Sequence, residues 1–342
     1  MNTAMRPSSP PNNAFGRRIA APRSARGFSL VELMVSMTIG LLIIVAISAM
    51  YVSSSAGKKT EGRFSEFQTN ARYAMDVLRK DVQHAGFYGL TYDSFSPGAV
   101  AATDYGCGAG FVTNILQPVY GLNDTNSDPA TSIASCVPSA NYGGGDILVL
   151  RRAGPESVGT CPGNSKLDAN TLYLRSGFDK AVAFHSSAQP LASQQPCEDY
   201  PLLTEVYYVS PATDTENPPV PALYRLVLET VGSTPTMTPK LVASNVEDFQ
   251  VQYGIRDAAG STRFYNASEL APDQWNVKKL APDKPDVKKP VSALRIWILA
   301  RSSDKDPGYA AIKSYQLGGK TVDKPADGYQ RQVFQQIVQV RQ

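Results

Sequence analysis

The chain has 342 residues, of which 42% are hydrophobic and 18% are charged. At ~150 residues per domain this length allows one large or two modest globular units. The balanced composition excludes a disordered chain, a collagen and a coiled-coil rod. With 26 glycines, 25 prolines and 17 tyrosines, most of the chain favours strands and turns, so we expect the helix to be concentrated in one region.

The net charge of +3 is unevenly distributed. Residues 1–27 contain no acidic residue and five arginines: Arg6, Arg17, Arg18, Arg23 and Arg26. Without these five, 28 basic residues stand against 30 acidic ones, so the rest of the chain carries about −2. A nucleic-acid-binding protein with a basic surface is therefore not expected.

A long apolar segment follows the arginines, from Phe28 to Val52, and its only charged residue is Glu32. At 1.5 Å per residue the uncharged run that starts at Leu33 spans ~30 Å, the thickness of the hydrocarbon layer. The segment predicts one transmembrane helix. Because arginines precede it, residues 1–27 are expected in the cytoplasm and the chain after about Ser53 outside.

Apolar residues continue at helical spacing beyond this segment, at Phe64, Phe67, Ala71, Ala74, Leu78 and Val82. No proline occurs between Pro22 and Pro97, so one helix from Phe28 to about Ala85 is permitted, and Gly86 fits its end. The apolar stripe is expected to pack on a globular head. The side chains expected to face water are those of Arg63, Glu66, Arg72, Arg79, Lys80 and Asp81.

Residues 90–342 show strand patterns separated by turn-rich loops. The predicted strands are Asp146 to Arg152, Thr171 to Arg175, Glu205 to Val209, Leu223 to Glu229, Val246 to Ile255, Val291 to Ser302 and Gln332 to Arg341. We therefore expect an α+β protein, in which the long N-terminal helix packs on an antiparallel β-sheet head domain with a disulfide-stapled, loop-rich region.

The four cysteines are Cys107, Cys136, Cys161 and Cys197, and no C-x-x-C pair occurs among them. Placed outside the membrane, they favour structural disulfides over zinc or redox chemistry. Four cysteines allow three pairings. We favour the sequential one, Cys107 with Cys136 and Cys161 with Cys197.

The segment RGFSLVEL (26–33) resembles the class III signal of type IV pilins and type II secretion pseudopilins. The resemblance implies that a prepilin peptidase cuts after Gly27 and N-methylates the new terminal amine of Phe28. Glu32 is then expected to pair with a freed amine, its own or that of a neighbouring subunit, because a carboxylate within a lipid-spanning helix usually has a partner. An uncleaved signal anchor that tolerates the Glu is the alternative.

Later segments resemble the PilW-type minor pilins. These segments are FQTNARYAMDVLRKDVQHAGFYG (67–89), GDILVLRR (145–152), VEDFQVQYGIRD (246–257), the segment around Trp275, VSALRIWILARS (291–302) and YQRQVFQQIVQVRQ (329–342). The domains implied are a removed leader (1–27), a transmembrane half-helix (28–52), a periplasmic amphipathic half-helix (53–89) and a β-rich head (90–342).

The resemblance implies a structural subunit of the inner membrane and then of the type IV pilus, which helps to prime assembly and sits at the tip. The partners implied are other minor pilins, the major pilin, the prepilin peptidase, the inner-membrane assembly platform and a tip adhesin. Two alternatives stay open. One is a type II secretion minor pseudopilin, and the other is a pilin-anchored adhesin, enzyme or DNA-binding module.

A duplicated decapeptide lies at 270–289, where LAPDQWNVKK is followed by LAPDKPDVKK. It predicts an inserted loop whose lysines are Lys278, Lys279, Lys284, Lys288 and Lys289. Two interpretations stay open. The loop contacts DNA or another anionic partner beside Trp275, or its lysines are solvated and discourage aggregation of an edge strand.

Catalytic and metal motifs are weak. Asp124, Asn126 and Asp128 have the D-x-N-x-D spacing of a calcium loop, but Pro129 replaces the glycine and Ser135 stands where the bidentate Glu belongs, so a polar turn is favoured. The two histidines are His84, expected on the helix surface, and His185, expected in a loop. No H-E-x-x-H, G-x-S-x-G or Walker A signature occurs. We expect neither a cofactor nor an enzyme.

Overall fold

The structure is a computed structural model. The ranges it describes are 27–91, 94–128, 131–161, 163, 166–191, 195–257, 259–276, 290–306, 309, 312–324 and 326–340, and for residues 56–66 only the backbone is described. The chain divides into two compact units, residues 1–57 and residues 58–342. The described part of the first unit is helical from Leu30 onward.

Helix α1 spans Leu30–His84. Within the second unit its apolar stripe is buried against the head, at Phe67, Ala71, Ala74, Met75, Leu78, Val82 and Ala85. The spacing of three and four places these side chains on one face, and their burial removes that face from water. Gly86 has φ +79°, a left-handed conformation that ends the helix at low steric cost. The predicted helix and its end are confirmed.

The strands in chain order are β1 Phe95–Ser96, β2 Val119–Leu122, β3 Ile147–Ala153, β4 Gly159–Thr160, β5 Leu172–Gly177, β6 Ala181–His185, β7 Cys197–Ser210, β8 Ala222–Val231, β9 Thr234–Ser244, β10 Val246–Arg256, β11 Thr262–Asn266, β12 Val291–Arg301, β13 Lys313–Leu317, β14 Lys320–Lys324 and β15 Arg331–Gln339. A four-residue helix, α2, covers Ile133–Cys136. Within the described residues every strand pair is antiparallel except β1 with β6.

The described strands of the head form two large β-sheets and one separate hairpin. The first has the order β1-β6-β5-β7-β3-β2, with β4 and β8 also pairing with β7, and β9 pairing with β8. The second has the order β11-β10-β12-β15, and β13 and β14 form a separate hairpin. Both large sheets and the helix stripe contribute to one hydrophobic core. The α+β class expected from the sequence is confirmed.

The predicted strands correspond to β3, β5, β7, β8, β10, β12 and β15, with shifted ends. The strand predicted at Glu205 is longer than expected, because the preceding residues from Cys197 pair with β5 and β4. β9 was not predicted, since it contains Pro235 and Pro239, which suit a strand with a partner on one side only. His185, expected in a loop, is the last residue of β6.

Candidate functional site

The apolar part of α1 begins just after the glycine that the sequence marks for cleavage. Gly27 and Phe28 precede the helix, Phe28 is exposed, and a side chain at Gly27 would meet open space. Within Leu30–Ser55 an 18-residue window has a mean hydropathy of 2.6, and none of that window is buried. This apolar, uncovered helix indicates membrane anchoring.

Glu32 lies in the first turn of this helix. Its Oε2 accepts a hydrogen bond from the Ser29 backbone N–H at 3.1 Å, and the Leu33 N–H donates to the Ser29 carbonyl at 3.1 Å. Ser29 is thus the residue that caps the helix, and Glu32 satisfies one of the backbone N–H groups that a helix start leaves without a partner. In the uncut chain the Glu32 carboxylate is therefore bound to Ser29. Ser29 lies one residue after Phe28, the predicted new terminus.

The second half of α1 is attached to the head through a buried cluster of charged groups, which we call the Asp81 cluster: Asp81, Arg152, Glu205, Tyr207 and Arg225. The Asp81 carboxylate accepts hydrogen bonds from Arg152 at 3.1 Å, from Arg225 at 2.8 Å and from the Tyr207 hydroxyl. Glu205 pairs with the same two arginines at 3.5 and 3.1 Å. Two carboxylates thus share two guanidinium groups beneath the helix.

The prediction that Asp81 faces water is wrong, since the residue is only 7% exposed. A sequence signal for its burial was present. Asp81 follows Leu78 by three positions and Ala74 by seven, which places it on the apolar face of the helix.

Burial, together with the Asp81 carboxylate, raises the pKa of Glu205 to about 7. The sequence analysis did not single out Arg152 or Arg225, the two arginines of this cluster.

The cysteines are paired as Cys107–Cys136 and Cys161–Cys197, which is the sequential pairing. The Cα atoms of the pairs are 4.8 and 5.3 Å apart, within the usual range for disulfides. Both bridges close loops in the region before β7, where regular structure is sparse. No cysteine is free.

We expect thiol labelling of the denatured, unreduced protein to find no free cysteine. The loops closed by the two bridges are 29 and 36 residues long, so each bridge removes about 3 to 4 kcal/mol of chain entropy from the unfolded state. Reduction should therefore lower the thermal midpoint of the head, as followed by circular dichroism. Four labelled thiols before reduction would contradict the pairing.

The structure does not bring the calcium candidates together around one point. Asp124 pairs with Lys320 and accepts a hydrogen bond from Gln250. The Asn126 amide donates to the Val137 carbonyl. Asp128 accepts hydrogen bonds from Tyr120 and Thr131. Each side chain thus makes a different contact, and the residues that the structure describes contain no group of three or more His, Cys, Asp or Glu that could hold a metal ion.

The five lysines of the duplicated loop lie in 277–289, outside the described residues. Trp275, which precedes them, is 6% exposed and packs against Tyr120 and Tyr253, with ring centroids 5.2 and 4.8 Å apart. The indole is therefore part of the core, and both interpretations of the lysine loop stay predictions. His84 is exposed, as expected, and its Nδ1 contacts the Lys80 carbonyl.

Comparison with known proteins gives two family matches. The model described as Type IV Pilus-assembly protein W matches residues 206–342, and the prokaryotic N-terminal methylation motif matches residues 22–48. No curated protein sequence matches the chain. Among solved structures, a type IV-like pilin from Thermus thermophilus aligns with 80% of this chain and 95% of its own, at 14% identity and a TM-score of 0.34.

An apolar N-terminal helix followed by an antiparallel sheet domain with two disulfides defines a pilin-like α+β protein. The methylation motif at its start is the one expected of that class. The PilW model matches the last part of the head, so the comparisons support the resemblance to PilW-type minor pilins that the sequence predicts.

Proposed function

We propose that the protein is a structural subunit that is anchored in the inner membrane by residues 28–52, carries its head in the periplasm and then enters a type IV pilus. The observation that supports this best is that an apolar, uncovered helix starts just after Gly27 and Phe28, in a chain whose residues 206–342 match the PilW model. A helix with exposed apolar side chains all round needs a lipid or protein environment. The bilayer supplies the lipid environment, and neighbouring pilins in a filament supply the protein environment.

In this proposal the subunit helps to prime assembly and sits at the pilus tip. Its partners are other minor pilins, the major pilin, the prepilin peptidase, the inner-membrane assembly platform and a tip adhesin. Two features support a tip position over a place in the bulk filament. The head is large, extending to the end of a 342-residue chain, and the anchor lacks the helix-kinking proline of typical major pilins.

Processing is the first testable consequence. The mature protein is expected to begin at Phe28 with a methylated amine, and N-terminal mass analysis of the protein purified from membranes checks this. The Gly27→Ala variant should remain uncut. Finding residues 1–27 retained in the wild type, or a cut near Ser53, would contradict the proposal.

Deletion of the gene tests the priming role. We expect the deletion strain to show few surface pili by electron microscopy, and the wild-type gene to restore them. The abundance of the major pilin in the membrane serves as the control, since loss of priming leaves that pool intact. Normal piliation in the deletion strain would reject the role, and a secretion defect with normal pili would favour the type II secretion pseudopilin.

A further inference from the structure

A cavity of about 730 Å³ lies in the head beside the first disulfide. Four parts of the chain line it: residues between 109 and 117, residues between 120 and 132, Arg151, and residues between 267 and 275. The volume lies in the range of pockets that hold small ligands. Neither the membrane helix nor the Asp81 cluster contributes a lining residue, so the role in pilus assembly proposed above does not account for this cavity.

The Cys107–Cys136 bridge holds two of these walls together. Gly108, next to the first cysteine, has φ +90°, and a Cβ built on it would lie 2.4 Å from the Ser132 Cβ. Only glycine permits this close approach. The bridge and the glycine therefore fix the spacing between the wall at 109–117 and the wall at Ser132, which gives the cavity a preformed shape.

Arg151, on β3, lines the cavity and is 1% exposed. Its Nε and Nη2 donate to the Phe111 carbonyl at 3.0 and 2.7 Å, and its Nη1 donates to the Gln117 carbonyl at 2.7 Å. The guanidinium also lies 4.9 Å from the centroid of the Phe111 ring. Both carbonyls belong to residues that line the cavity, so the charged group is held at its wall.

The positive charge of Arg151 has no counter-ion among the described residues. A guanidinium has five N–H groups, and the three hydrogen bonds leave one on each Nη without an acceptor. Burial lowers the pKa of Arg151 to about 10, so the group stays charged at neutral pH. A buried charge without a partner is costly, and two N–H groups on adjacent nitrogens match the two oxygens of a carboxylate.

About half of the other lining residues have neutral polar side chains, and most of the rest are apolar or glycine. The neutral polar ones include Asn114, Gln117, Asn123, Thr131, Ser132 and Ser268. Asn114 and Gln117 bond to each other, whereas the side chains of Asn123 and Ser268 make no hydrogen bond to the residues that the structure describes. Asp128 is the acidic lining residue, and its carboxylate is engaged by Tyr120 and Thr131. Amides and hydroxyls both donate and accept, which suits a ligand with many hydroxyl groups.

We propose that this cavity binds an acidic sugar, whose carboxylate pairs with Arg151 and whose hydroxyls bond to the amide and hydroxyl side chains of the walls. The carboxylate supplies the counter-ion that Arg151 lacks. The hydroxyls supply partners for Asn123 and Ser268. The proposal is independent of the role in pilus assembly, and each can fail without the other.

The test uses the full mature chain in detergent and three probes: trigalacturonic acid, a glucuronate-containing hyaluronan tetrasaccharide, and sialyllactose. Binding is followed by calorimetry at low and high salt. At least one probe is expected to bind, with affinity that falls as salt rises. Its carboxyl methyl ester should bind at least about tenfold more weakly, because the ester cannot form the charge-assisted pair. Triglutamate serves as a carboxylate-bearing peptide for comparison.

Charge variants at Ser268 separate binding from folding, since its side chain is exposed and makes no hydrogen bond to a described residue. Ser268→Lys should tighten binding of the acidic sugar by about two- to threefold at low salt, and Ser268→Asp should weaken it by a similar factor. Ser233→Lys, an exposed serine that does not line the cavity, is the matched control and should leave affinity unchanged. Arg151→Lys should reduce the preference for the acid over its ester, because lysine keeps the charge but cannot form the bidentate pair.

Several outcomes would overturn the proposal. Absence of binding by all three probes would do so, as would equal binding of the acid and its ester. Tighter binding of triglutamate than of any sugar would show that the cavity takes an acidic peptide instead. Equal affinities for the two Ser268 variants would place the bound probe elsewhere on the protein.

Discussion

Replacing Asp81 with alanine is expected to lower the free energy of unfolding of the head by about 3 kcal/mol, the usual scale for breaking a buried ion pair. The loss arises because Asp81 accepts hydrogen bonds from Arg152, Arg225 and Tyr207 in a nearly water-free site. Without it, two partly buried guanidinium groups share the single carboxylate of Glu205. Urea unfolding of the full chain in detergent measures the change, with the fluorescence of the head tryptophans Trp275 and Trp297 as signal.

Asp76→Ala is the matched control for this experiment. Asp76 lies five residues earlier on the same helix and pairs with Arg79 at 2.6 Å and with Lys80 at 2.8 Å, but its side chain is 43% exposed. Exposed pairs of this kind contribute little to stability. The control should therefore unfold like the wild type. Equal stability of both variants would show that the Asp81 cluster does not hold the helix on the head.

The pKa of Glu205 gives an independent readout of the same cluster. The Asp81 carboxylate is one of the causes that raise the pKa of Glu205 to about 7, after burial itself. In the Asp81→Asn variant that pKa should fall, because a like charge is removed while the shape is kept. Carboxyl carbon chemical shifts followed through a pH titration test this. An unchanged titration of Glu205 would contradict this expectation and would indicate that the Asp81 carboxylate does not contribute to the raised pKa.

Glu32→Ala is expected to reduce the number of surface pili strongly while leaving cleavage after Gly27 intact. If the mature carboxylate pairs with a terminal amine in the apolar filament interior, its removal costs about 3 kcal/mol at each such contact. The head should be unaffected, since Glu32 lies in the first unit of the chain. Pili are counted in the deletion strain complemented with each variant, and the membrane level of the protein is measured by immunoblot.

Thr38→Val is the control within the same apolar helix. Thr38 is polar, but its hydroxyl bonds the helix backbone, at the Val35 carbonyl 2.9 Å away, so the change removes polarity without removing charge. This variant should restore normal piliation. Normal piliation with Glu32→Ala at wild-type abundance would show that the carboxylate is dispensable in this subunit, as is expected if no subunit lies above it.

Local sequence patterns were sufficient to predict the helix and the strands whose apolar side chains are buried at a regular spacing. The stripe from Phe67 to Val82 predicts the packed part of α1, and runs such as Val246 to Ile255 and Val291 to Ser302 predict β10 and β12. Such patterns succeed because burial of apolar side chains has a fixed period in a helix and in a strand. β13 and β14 were missed although Gly318 and Gly319 mark their turn, since their strands carry few buried residues.

The sequence by itself determined the membrane helix, the predicted cleavage site at Gly27, the acidic residue Glu32 and the class of protein, because each depends on residues that are neighbours in the chain. Tertiary structure alone decided that Trp275 belongs to the core, that Asp81 pairs with Arg225, and that Arg151 has no counter-ion among the described residues. These contacts join residues far apart in the chain, 144 positions for Asp81 and Arg225. A local pattern can place a charged residue on a buried face, as it does for Asp81, but only the folded neighbours show which groups it pairs with.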